Sequence, residues 1–363
     1  MTSQNRLLYL DWVRGLAAIV MLQGHVFDSF LKADLRTGGP FLFSQFLGGM
    51  PPAIFLFLTG VTLAFLMDGQ ERKMVSPARR VWISLRRAAY LFGIAFLFRI
   101  QLWAFSQPRN PWAADIFKVD ILNSMGFGIA VMSLMALFRT AERIRLCAIL
   151  GVGTAFAAPL LSQVDWSSVA PVLRDYLAPS RASFGFFPWA AFLAFGMSAG
   201  SLLRKLREDE VAQAMQWMAL GGLIVAFGGY AVSNMSYSVY PNSDFWLDNP
   251  CLIFIKLGVI LIVLPFAYLW TRQWGAQPST QNWSWVRQFG VTSLLVYWVH
   301  IELVYGRWFG FFNQTLTLEQ TLLAAFCVIL LMLGLALLRT NLKSWRTLAR
   351  WFQAAEPRRV SGD

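Results

Sequence analysis

Histidine, cysteine and charge are all scarce in this chain. Its 363 residues include two histidines and three cysteines, and 14% are charged, where a soluble domain carries about 25%. The cysteines, Cys147, Cys251 and Cys327, fall in separate apolar segments with no CxxC pair and no metal-ligand spacing. That implies neither a disulfide framework nor a thiolate site, and no metal is expected. Low-complexity tracts, a soluble domain and a convincing internal repeat are missing too. The missing repeat weakens a secondary-transporter reading built on inverted repeats. No N-terminal signal peptide is visible. Arg6 precedes an apolar run without a small-residue cleavage site, the pattern of a retained membrane helix.

What is present is apolar. Hydrophobic residues make up 57% of the chain and the mean hydropathy is +0.51. Apolar stretches long enough to cross a bilayer recur along it, so the expected fold is all-α, a polytopic membrane bundle of about ten helices. The stretches are too long and too continuous for barrel strands. Sixteen tryptophans and nine tyrosines suit interfacial belts. The predicted spans are 9–30, 51–67, 88–105, 119–138, 146–161, 186–203, 214–232, 251–270, 290–305 and 318–338. They form one transmembrane domain over 1–363, with a core of 9–338 and a basic tail of 339–363.

The net charge of +12 is not a nucleic-acid signature. Its basic residues gather in short loops, where membrane topology and anionic lipid account for them. Arg72, Lys73, Arg79, Arg80, Arg86 and Arg87 follow the second span, Arg139, Arg143 and Arg145 the fourth, and Arg204, Lys205 and Arg207 the sixth. The segment 234–249 has no Lys or Arg. Alternate loops are basic, which places both termini in the cytoplasm by the positive-inside rule.

The first span carries the chemistry. Arg14 and His25 are eleven positions apart, almost a whole number of turns, so they share a helix face roughly 16 Å apart. Asp11 and Asp28 lie on the same stripe. Ionisable groups in a span are costly and face the bundle interior. Asp28, one turn after His25, would raise the imidazole's basicity and fix its tautomer. Arg14 with Asp11 fits a helix-joining ion pair as well as a ligand site. Given the topology, Arg99, Asp120, Asn123, Lys256, Tyr297, His300 and Glu302 fall at a similar outer depth to His25, as a shared wet cavity requires. Blander readings stand beside these. Lys256 and Arg99 can snorkel, and Asp120 with Asn123 can cap the fourth span. Gly196-Met197-Ser198-Ala199-Gly200 matches G-x-S-x-G, but it sits inside a span, where small residues serve helix packing.

These residues resemble the transmembrane acyltransferases. The Arg14–His25 spacing is similar to the first-helix signature of acyltransferase family three. The phrases around it are closer to bacterial heparan-α-glucosaminide N-acetyltransferase-like proteins. They are Leu10-Asp11-Trp12-Val13-Arg14-Gly15, Phe55-Leu56-Phe57-Leu58-Thr59-Gly60, Val119-Asp120-Ile121-Leu122-Asn123-Ser124-Met125-Gly126, Phe187-Pro188-Trp189 and Ser293-Leu294-Leu295-Val296-Tyr297-Trp298-Val299-His300. The resemblance implies a ten- or eleven-helix enzyme of the bacterial inner membrane. It would move an acetyl or acyl group from cytoplasmic acyl-CoA, acetyl-CoA included, to a sugar or envelope-glycan acceptor, by O- or N-transfer. It implies a base role for His25.

The expected catalytic set is His25, Asp28 and His300. Asp11, Arg14, Arg99, Asp120, Asn123, Lys256 and Tyr297 would bind donor or acceptor. The bilayer is a partner, nucleic acid is not, and a homo-oligomer is compatible with the chain. The rival is a transporter with a buried His/Asp/Arg path.

Overall fold

A computed structural model of the protein describes residues 5–105, 111–274 and 284–354. The helices are α1 (Asn5–Phe30), α2 (Gly39–Gly48), α3 (Met50–Arg72), α4 (Pro77–Phe105), α5 (Trp112–Ile116), α6 (Ile121–Met132), α7 (Thr140–Leu161), α8 (Pro171–Leu177), α9 (Phe186–Lys205), α10 (Val211–Ser233), α11 (Pro250–Trp274), α12 (Trp285–Val291), α13 (Ser293–Val304) and α14 (Leu318–Ala354). Among the described residues there is no strand, only an isolated bridge between Leu31 and Leu316. The chain is a multi-pass, all-α membrane protein.

Among the described residues, seven helical stretches are long and apolar enough to cross a bilayer: Gly39–Arg72, Pro77–Phe105, Thr140–Leu161, Phe186–Lys205, Val211–Ser233, Pro250–Gln273 and Leu318–Asn341. Three expected spans are not among these seven: 9–30, which is the unbroken helix α1, and two that are interrupted. The segment 119–138 is α6 followed by a 3-10 turn, Ser133–Leu137. The segment 290–305 breaks at Thr292, which leaves helical geometry at φ −108°, ψ 14°. Its hydroxyl donates to the Gln288 carbonyl at 2.7 Å, a local bond that competes with the helix ladder.

The chain divides into two compact units. Met1–Val13 and Gly49–Ser279 form the first, and Arg14–Gly48 with Thr280–Asp363 the second. In the first unit α3 and α7 pack on α9, α4 on α6, and α10 on α11. Small residues set these approaches: a Cβ at Gly196 would lie 2.0 Å from the Phe57 carbonyl oxygen. Ser198, within the G-x-S-x-G phrase, donates to the Ile144 carbonyl at 2.7 Å. The phrase therefore serves packing, and among the described residues its serine is bonded to a backbone carbonyl rather than to a base.

One end of the first unit is tied by charge. Asp68 accepts from Arg204 at 2.6 Å, from Arg72 at 2.9 Å and from Thr140 at 3.1 Å. Glu71 pairs with Arg143 at 3.1 Å and Arg80 at 3.4 Å. The arginines read as topology markers thus also hold the ends of α3 and α9 against the starts of α4 and α7. At a loop of the same unit, Arg181 hydrogen-bonds Asp244 and holds that carboxyl below its usual range.

In the second unit α1 is approached closely on two sides. A Cβ at Gly15 would lie 1.8 Å from the Val286 carbonyl oxygen, and one at Gly24 would lie 2.8 Å from the Gly48 Cα. Only glycine fits at such contacts. The C-terminal end of α1 is pinned by the segment before α14. Gln314 N donates to Ser29 O at 2.9 Å, Leu316 N to Phe30 O at 3.0 Å, and Lys32 N to Leu316 O at 3.0 Å.

A histidine pair as the candidate active site

Both histidines of the chain meet in the second unit. His25 Nδ1 of α1 lies 2.8 Å from His300 Nε2 of α13, with the rings 5.1 Å apart and inclined by 15°. His300 is fully buried, and its Nδ1 lies 2.8 Å from the Val296 carbonyl oxygen. A carbonyl only accepts, so His300 Nδ1 carries the hydrogen. In the neutral ring, its Nε2 then holds a lone pair. His25 Nδ1 must therefore donate to it, and His25 Nε2 is left as an unprotonated nitrogen. His25 is partly exposed. Such a pair is chemically able to act as an oriented base, with His300 in the place a carboxylate holds in a Ser-His-Asp triad.

The expectation that Asp28 fixes the His25 tautomer is corrected here, because His300 does so. Asp28 instead accepts a hydrogen bond from the Tyr305 hydroxyl at 2.9 Å, and its backbone carbonyl accepts one from Arg36. The Tyr305 ring packs edge-on against His25 at 5.4 Å, so Asp28 is joined to the pair through Tyr305. Tyr297 sits edge-on to His300 at 5.8 Å. A cavity of about 240 Å³ opens beside Asp28 and Tyr305, lined also by Arg36, Asn313 and Gln314. Arg14 lies on α1, partly exposed.

The other predicted site residues, Asp11 included, belong to the first unit; Asp11 is partly exposed on α1, one turn before Arg14. Asp120 caps α6, its Oδ1 accepting from Leu122 N and Asn123 N at 3.0 Å each. Asn123 is fully buried and donates to the Tyr176 hydroxyl at 3.1 Å. Arg99 donates to the Asp115 carbonyl at 2.7 Å. Lys256 Nζ lies 5.3 Å from the Trp189 ring centroid, a cation–π placement.

Sequence reasoning missed Tyr305, Arg36, Asn313 and Gln314. Tyr305 closes the expected span 290–305, and nothing in its spacing singles it out. The others stand in short connections with no periodic pattern to single them out.

A family model described as heparan-alpha-glucosaminide N-acetyltransferase, catalytic, matches residues 6–240. The chain belongs to that family. No curated protein matches it. Membership in the heparan-alpha-glucosaminide N-acetyltransferase catalytic family gives the chain a membrane acetyltransferase-like function and does not favour the transporter reading. The matched region holds His25, Asp28, Asp120 and Asn123. Lys256, Tyr297, His300 and Tyr305 lie beyond it.

Proposed function

We propose that this protein is an integral membrane acyltransferase that moves an acetyl or other acyl group from cytoplasmic acyl-CoA to a sugar or envelope-glycan acceptor, with His25 as general base. The observation that carries the reading is the oriented pair, His25 Nδ1 to His300 Nε2 at 2.8 Å, in a chain of an acetyltransferase family. His25 Nε2 takes the proton of the acceptor hydroxyl or amine as that atom attacks the thioester carbonyl. The new C–O or C–N bond forms, the C–S bond breaks, and the proton passes from His25 to the departing thiolate. His300 accepts the Nδ1 hydrogen bond throughout and stabilises the transient imidazolium.

Arg14 is the donor-side residue in this reading. Guanidinium suits phosphate, and CoA carries several phosphates. The eleven-residue rise from Arg14 to His25 is roughly 16 Å, and an extended pantetheine arm is on the order of 15–20 Å. Donor phosphate at Arg14 and thioester at His25 are therefore compatible in scale. The polar cavity at Asp28 and Tyr305 suits the acceptor.

The test is His25→Ala in purified, lipid-embedded protein. Loss of a general base costs about 10²–10⁴ in rate, so acetyl transfer should fall by that factor with insertion and abundance unchanged. Activity within a few-fold of the wild-type protein would reject the base role.

A further inference from the structure

A second cavity adjoins the polar one in the second unit. It is a groove of about 390 Å³ whose lining includes Phe30, Phe309, Phe312, Leu323, Cys327 and Leu331. The groove runs along α14, one of the helices long and apolar enough to cross a bilayer. Leu323 and Leu331 on its rim are 64% and 50% exposed, so it opens to the surface that lipid covers.

The two cavities are lined by different residues of the same two segments. In the connection before α14, Phe309, Phe312 and Leu316 line the groove, while Gly310, Asn313 and Gln314 line the polar cavity. At the end of α1, Phe30 faces the groove, while Asp28 and Ser29 face the polar cavity. The dividing segment is held in place. Gln314 takes a left-handed backbone at φ 54°, and both Gln314 N and Leu316 N are bonded to α1. A non-glycine residue at that φ persists where the surroundings over-determine it.

The chemistry on the two sides is complementary. Asp28, Arg36, Tyr305 and the amides of Asn313 and Gln314 offer donors and acceptors to a hydroxyl-rich group. Neither amide side chain has a hydrogen-bond partner among the described residues. A volume of about 240 Å³ is below that of a drug-sized pocket and suits one sugar ring rather than an oligosaccharide. The groove offers mostly hydrocarbon contact, with the Gln320 amide and the Cys327 thiol among its lining.

We infer that the acceptor is a lipid-linked sugar, its head in the polar cavity lined by Asp28 and Tyr305, whose ring packs on His25, and its hydrocarbon chain in the groove along α14. The inference rests on the acetyltransferase reading and names its acceptor class. Lipid tails are as apolar as the groove, so burial in it yields little net affinity. What the groove supplies is orientation: a chain lying in it fixes the attached ring beside His25 and raises its effective concentration there.

The experiment compares two acceptors, dodecyl glucosaminide and free glucosamine, with acetyl-CoA and protein in lipid nanodiscs. Both offer hydroxyls and an amine. Ala324, which lines the groove and has no part in the chemistry, is replaced by tryptophan to fill it. Ala324→Trp should lower kcat/KM for dodecyl glucosaminide at least tenfold and leave glucosamine within about twofold. Simple partitioning of the alkyl sugar into the bilayer would survive the substitution, so an unchanged dodecyl rate overturns the inference, as does an equal fall for both acceptors.

A second readout does not depend on turnover. Dodecyl glucosaminide carrying a chain-end diazirine should photolabel residues 318–331, and unlabelled dodecyl glucosaminide should compete where dodecanol does not. Equal competition by dodecanol would mean that any membrane hydrocarbon fills the groove, which also overturns the inference. Specific labelling with no acetyl transfer to either acceptor would keep the head-and-tail site and overturn the acetyltransferase reading instead.

Discussion

Among the described residues His300 Nε2 meets the imidazole of His25, and that fixes what its loss must do. Without an acceptor at Nδ1, His25 is free to take the other tautomer and to rotate, and its imidazolium loses a stabilising contact. Orienting partners of this kind are worth about 10–100-fold, so His300→Phe should lower kcat by that amount with KM little changed. His300→Gln keeps an oxygen able to accept from Nδ1 and should restore part of the loss. Equal activity of the two variants would reduce His300 to packing. The sequence singled out both histidines, one by the Arg14 spacing and one by depth. Their pairing was not legible, because periodicity tells which face of a helix a residue occupies and not which helix lies opposite. The same gap hid Tyr305, which takes the Asp28 carboxylate that was expected to serve His25. Asn313 and Gln314 carried no signal at all, since an amide in a loop matches no pattern until a cavity forms around it.

At the scale of helices, the basic loops read as topology markers prove to be half of an ion-pair network. Arg143 at the start of α7 is fully buried, and Glu71 at the end of α3 is its carboxylate, 29% exposed. Removing one partner of a buried pair leaves an uncompensated charge at a cost of about 3–5 kcal/mol. Glu71→Gln should therefore lower the unfolding temperature of the solubilised protein markedly. Arg72→Ala should not: Arg72 is 60% exposed, and buried Asp68 keeps Arg204 at 2.6 Å as its partner. Replacing Glu71, Arg80 and Arg143 together by leucine and two methionines should recover most of the loss, because Glu71 pairs with both arginines and apolar packing often equals a buried pair. Thermal unfolding of the three variants decides it. If Glu71→Gln melts with the wild-type protein, the network does not hold the helix ends. Composition predicted these helices well, since hydropathy reports burial in lipid directly. It missed the breaks at 133–137 and at Thr292, where a hydroxyl or a tight turn competes with the backbone ladder and leaves mean hydropathy unchanged.

For the molecule as a whole, the open physical question is the side from which the donor arrives. The loops after α3 and α9 and the start of α7 meet at one end of the first unit, through Asp68, Glu71 and their arginines. These are three of the alternating basic loops that predict a cytoplasmic face. A polyanionic donor is drawn to such a face by charge, and it is also where acyl-CoA is made. The same rule runs α1 outward, with Arg14 near the cytoplasmic end and His25 and Asp28 toward the other. Donor and acceptor would then approach His25 from opposite sides of the bilayer, and the acyl group, not the acceptor, would cross. Sealed vesicles of the two orientations separate this from its opposite. Inside-out vesicles should consume added acetyl-CoA and release free CoA outside. Right-side-out vesicles should leave it intact until they are permeabilised, and His25→Ala should abolish consumption in both. Equal consumption from both sides without permeabilisation would mean that the donor does not enter from the basic face, and Arg14 would lose its place as the phosphate-side residue.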